Sequence, residues 1–119
     1  MKLLLTSILL TLSISAAGLT GKWTGTFVDN SEGNKSESAV MMLTQDGNTL
    51  TGTAGPTLDE QMAISNGKVD GNNVTFDVKT GEFTVHFTLQ LMDKHLKGQA
   101  KAERNGESHS ATLDLTRAE

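Results

Sequence analysis

From Phe83 to Leu91 every second residue is apolar: Phe83, Val85, Phe87, Leu89 and Leu91 alternate with Thr84, His86, Thr88 and Gln90. A strand turns successive side chains to opposite faces, so this run has one dry face and one wet face. A helix, at 3.6 residues per turn, would scatter the same apolar residues around its circumference. Seven more runs carry the same period. They hold Trp23, Gly25 and Phe27; Met41 and Leu43; Leu50, Gly52 and Ala54; Met62 and Ile64; Val74, Phe76 and Val78; Leu96, Gly98, Ala100 and Ala102; and Ala111, Leu113 and Leu115. No stretch beyond residue 17 shows helical periodicity, and the expectation is an all-β domain of eight short strands.

The turns between the runs set the pairing. Asp46-Gly47 and Asn105-Gly106 are dipeptides favoured in two-residue hairpins. A turn at Asn105-Gly106 sets Ala102 against His109, Ala100 against Ala111, Gly98 against Leu113 and Leu96 against Leu115. A turn at Asp93-Lys94 sets Leu91 against Leu96 and Phe87 against Ala100, and one at Asp46-Gly47 sets Leu43 against Leu50 and Met41 against Gly52. Every pair is dry against dry, and a slip of one residue would reverse them all. The turn at Asp70-Gly71-Asn72 breaks the phase, and a bulge at Asn66-Gly67 restores it. Asp-Gly-Asn stands at 46–48 and again at 70–72, as recurring hairpins or internal duplication would leave it. Consecutive hairpins make an antiparallel up-and-down meander, and eight such strands close into a β-barrel without exposed edges. At 119 residues the chain has room for one domain.

Residues 1–17 have a different character. Lys2 is followed by an apolar run from Leu3 to Ile14 and then by the small residues Ser15-Ala16-Ala17, the pattern of a secretory signal peptide. The run is shorter than the ~20 residues that span a bilayer. Cleavage after Ala17 is expected to leave residues 18–119 as a single barrel domain, secreted or periplasmic, with no membrane span of its own. There is no cysteine, which excludes disulfides and thiolate chemistry. A formal net charge of −4 lacks the basic footprint of a nucleic-acid binder.

Gly21-Lys22-Trp23 at the start of the first strand, with Arg117 at the end of the eighth, resembles the signature of the calycins: lipocalins, fatty-acid-binding proteins and the streptavidin group. The stretch from Gly47 to Thr53 is similar to the second hairpin of streptavidin-like barrels. The resemblance implies that Trp23 and Arg117 pack together as a structural pair at the closed end of the barrel. It covers most of residues 18–119 in layout but only these residues in sequence. The chain departs from the avidin pattern in having no tyrosine, so biotin binding is not carried over, and it is short for a lipocalin. First and last strands of a closed meander are neighbours, and an Arg over an indole gains roughly 0.5–2 kcal/mol.

The turns after strands two, four and six fall at the Trp23 end. The remaining connections fall at the opposite, open end. Two of these are expected to be sizeable loops, Asp29 to Glu37 and Gly55 to Glu60. Barrel mouths are a common ligand position. The candidate binding residues, all in inner-face phase near that mouth, are Phe27, Met62, Val78, Phe83, Arg104 and His109. Arg104 is expected to lie on the Phe83 ring and to pair with Glu107 across the hairpin. There it would hold the carboxylate of an apolar ligand, with His109 donating a second hydrogen bond.

Catalytic signals are absent. Glu107-Ser108-His109-Ser110 contains triad residue types, but neighbours along a strand face opposite ways and cannot converge. No phosphate-binding or nucleophile-elbow motif occurs, and the three His lack metal-ligand spacing. The expectation is therefore a non-enzymatic barrel, without cofactor or metal, that binds a small, mostly apolar molecule. The alternative is an extracellular protein-interaction or enzyme-inhibitor module with a filled core. A haem-binding barrel using an inward His109 is a third reading. The sequons at Asn34 and Asn73 matter only in a glycosylating host.

Overall fold

The computed structural model describes residues 18–30, 35–104 and 106–118; the expected signal peptide lies outside them. Eight strands follow in order: β1 (Gly21–Asp29), β2 (Lys35–Asp46), β3 (Thr49–Thr57), β4 (Glu60–Asp70), β5 (Asn73–Thr80), β6 (Phe83–Met92), β7 (His95–Arg104) and β8 (Glu107–Arg117). Each pairs antiparallel with its neighbour in sequence, and β1 closes against β8 to complete the barrel. The described residues contain no helix, and therefore none long and apolar enough to cross a membrane.

The later hairpins have the expected register. Ala102 faces His109 and Leu96 faces Leu115, while Leu91 faces Leu96 and Phe87 faces Ala100. Asp93 and Lys94 have φ of 52° and 71°, the double positive φ of a type I′ turn. A bulge interrupts β4 between Ser65 and Lys68, with Asn66 at φ 55°, where the phase argument required one.

Two expectations are corrected. The β2–β3 turn is Gly47-Asn48 rather than Asp46-Gly47, so Leu43 faces Gly52 and Met41 faces Ala54. Of the two turn residues only Gly47 has positive φ, at 63°, so the glycine takes the first central position as in a type II′ turn. The shift is two residues, which changes partners but leaves every side chain on its face. The second correction concerns the 55–60 connection. Gly55–Thr57 continue β3, Glu60 opens β4, and only Leu58-Asp59 turn. Pro56 cannot donate a ladder hydrogen bond, and side chains supply the pairing instead. Gln61 Nε2 donates to the carbonyls of Val40 and Thr57 at 3.1 and 2.7 Å, and Ser38 Oγ donates to Pro56 O at 2.7 Å. At the first connection, Asp29 and Lys35–Glu37 are likewise strand residues.

The core fills the closed half of the barrel. Trp23, Leu43, Leu50, Val69, Val74, Leu89, Leu96 and Leu115 are all buried, and no polar or charged residue among those described is buried with them. The small inner-face residues permit the strong coiling that closes eight strands. A Cβ at Gly98 would meet the Thr88 carbonyl oxygen and come 2.7 Å from the Leu89 Cα. One at Gly25 would likewise meet the Asp114 carbonyl oxygen. Their missing side chains thus accommodate neighbouring backbone rather than a ligand.

Candidate functional site

The closed end is sealed by three residues that precede β1. Leu19 is 2% exposed and plugs the base of the core. Its carbonyl accepts a 3.0 Å hydrogen bond from Trp23 Nε1, and its amide donates to Gln45 Oε1 at 3.2 Å. Trp23 and Arg117 are register partners, and the guanidinium carbon lies 4.7 Å from the indole centroid. The same guanidinium donates to the carbonyls of Gly18 and Thr20, so it clips the plug over the indole. The Leu19 plug was not read from the sequence, because one apolar residue between Gly18 and Thr20 has no periodicity to display.

The open half is different. A cavity of about 280 Å³ opens there. Phe27, Met62 and Val78, three of the candidate residues, line it. Met41, Phe87 and Leu113 are buried and form its inner end, with the Phe87 ring stacked on Phe76 at a 4.6 Å centroid separation. Ala39, Ala54, Pro56 and Val85 add to the apolar wall. Glu37, Ser38 and Thr80 supply its polar atoms near the rim. Glu37 stands directly across from Phe27 in the β1–β2 register. Val85 and Phe87 were legible in the β6 alternation. Glu37 is hidden in the sequence because it ends a long polar, Gly-containing stretch, although it shares inner-face phase with Met41.

The other three candidates stand apart. Phe83, Arg104 and His109 do not line the cavity. β1 stops at Asp29, opposite Ala111, whereas β8 runs on through His109 to Glu107. The three side chains therefore sit on wall that rises past the end of β1. Arg104 does lie on Phe83, 5.0 Å from its centroid, and His109 meets the same ring edge-on at 6.5 Å. The expected ion pair changes partner. Arg104 and Glu107 are cross-strand neighbours, but Arg104 Nη1 donates to Glu82 Oε1 at 3.3 Å. Glu82 adjoins Phe83 in sequence, so a guanidinium resting on that ring meets Glu82 first. The carboxylate-binding arrangement expected from sequence, an Arg104 head site continuous with the apolar wall, is not assembled.

The outer wall carries the remaining histidines, both in wet-face positions. His86 Nδ1 lies 2.7 Å from Asp77 Oδ1, and His95 Nδ1 lies 2.8 Å from Asp114 Oδ1. The Asp77 carboxyl is held below its ordinary value, first by a 3.0 Å hydrogen bond from Asn66 Nδ2 and then by His86, against partial burial that raises it. No group of three or more potential metal ligands occurs among the described residues.

Comparison of the chain with protein-family models, with curated proteins and with solved structures finds no match.

Proposed function

We propose that this protein is an exported, non-enzymatic carrier of a small, mostly apolar ligand, built on a calycin-like barrel. The observation that carries the reading is the division of the interior: a buried apolar core toward the closed end, where the depression beside Trp23 and Arg117 is lined mainly by polar and charged residues, and an open end with an apolar cavity of about 280 Å³ walled by Phe27, Met41, Ala54, Val78 and Phe87. Ligand cavities usually run from about 300 to 1,000 Å³, so the occupant is small, on the scale of one short alkyl chain or a bicyclic ring. The calycin-like assignment is supported by the Trp23–Arg117 pair at the closed end of an eight-stranded meander barrel. Export is supported by the signal-like residues 1–17.

The test is a titration with the neutral bicyclic fluorophore 1-naphthylamine. Wild type is expected to enhance and blue-shift its emission saturably, and Ala54→Leu, which takes up part of the cavity, to weaken the binding. Absence of saturable binding by wild type would return the protein to the interaction-module reading. That reading would rest on the exposed apolar residues of the mouth, Leu58 and Met62, which are 55% and 41% exposed.

A further inference from the structure

We infer that the cavity selects apolar ligands bearing a cationic head group, and that Glu37 makes the selection. This inference rests on the carrier reading and names the ligand class. Glu37 is the charged residue in the cavity lining. It lies in phase with Ala39 and Met41 on β2, across from Phe27 on β1, and it forms no ion pair with the described residues. Cross-strand neighbours hold their Cβ atoms about 5 Å apart, so an ammonium at the rim reaches the carboxylate and the Phe27 ring together. The tail of such a ligand then runs inward toward Met41 and Phe87.

A second observation points the same way. The turns and strand ends around the mouth carry Asp29, Asp59, Glu60, Glu82, Glu103 and Glu107 against Lys35, Lys79 and Arg104. Lys35 is set against Asp29 in the register, and Arg104 is already paired with Glu82. The field at the entrance is therefore negative, and a mouth lined by one sign of charge concentrates ligands of the other. The guanidinium that would reward a carboxylate is outside the cavity. A fatty-acid head entering beside Phe27 meets the Glu37 carboxylate and is repelled.

The test uses three probes that share a tail: n-octylammonium, 1-octanol and octanoate, each titrated calorimetrically into wild type and Glu37→Gln at pH 7 and low salt. Octylammonium is expected to bind about fivefold more tightly than octanol, as a solvent-exposed ion pair allows, with octanoate weakest. Raising the salt narrows the gap, because exposed charges are screened. In Glu37→Gln, whose exposed position makes misfolding no concern, the gap between octylammonium and octanol closes. Octanol binding with no charge preference overturns the inference and leaves the carrier reading standing. Octanoate binding as tightly as octylammonium overturns it and returns attention to Arg104. A preference that survives intact in Glu37→Gln overturns the role of Glu37. Failure of all three probes to bind overturns the carrier reading and the inference with it.

Discussion

The Arg117 guanidinium carbon lies 4.7 Å from the centroid of the Trp23 ring, and the two residues are direct partners across the seam where β8 closes on β1. One contact thus joins β1 and β8, caps the buried indole and, through the carbonyls of Gly18 and Thr20, holds the Leu19 plug. Trp23 is 1% exposed. Trp23→Ala is expected to destabilise the barrel by about 3–5 kcal/mol, as other buried aromatic truncations do. Arg117→Ala is expected to cost less, about 1–2 kcal/mol, since its cation–π contact and hydrogen bonds are exposed. Denaturant midpoints check both, and an unchanged midpoint for Trp23→Ala would refute the closed-end assignment.

Gly98 lies where the backbone of β6 comes close to β7. The Cβ of Gly98→Ala would have to displace backbone at Thr88 and Leu89, not a flexible side-chain end. A loss of roughly 1–3 kcal/mol is expected, in the range of overpacked cores. Thermal melting of this variant beside Lys97→Ala, one residue away on the wet face, separates crowding from a general effect on the strand. Equal melting temperatures would show that the strands have room to spare.

Asp77 links pH to stability on the outer wall. Its carboxyl titrates below its ordinary value in the folded protein, chiefly because Asn66 donates to it. A depressed folded value means the ionised form favours folding. The contribution is therefore complete above about pH 4, the ordinary range of the group, and is lost as pH falls through the folded value. Asn66→Gly removes the amide while tolerating the positive φ of that position. Carboxyl-carbon NMR titration is expected to show Asp77 moving up toward its ordinary value in this variant. No movement would assign the depression to His86 instead.

Ala54→Leu offers a test of the cavity that needs no ligand. Ala54 is buried, yet its side chain borders the open space. Enlarging a residue in a filled core costs about 1–3 kcal/mol. Here the added carbons have somewhere to go, so a midpoint within about 1 kcal/mol of wild type, or above it, is expected. A loss as large as that of Gly98→Ala would indicate that the cavity is closed in solution.

Strand order, the inner face and much of the pairing were legible in the sequence because each depends on local rules. Alternation in Phe83–Leu91 fixes which side chains are dry, and the dipeptides Asp93-Lys94 and Asn105-Gly106 fix what faces what. The Asn66-Gly67 bulge followed from a phase conflict between Ile64 and Val74. Where the sequence reading failed, it met choices that local rules leave degenerate. Asp46-Gly47 and Gly47-Asn48 both build hairpins with the same faces, and only the closed ladder from Gln45–Leu50 to Met41–Ala54 selects between them. Pro56 looks like a loop residue until Gln61 and Ser38 supply its strand with hydrogen bonds from neighbouring strands. The split of the candidate site has the same origin. Face alone put Phe27, Met62, Val78, Phe83, Arg104 and His109 together. Height around the barrel is set by the accumulated stagger of eight strands, and it separates the first three from the last three. Stagger is a property of ring closure, to which every strand contributes and which no single stretch of sequence records.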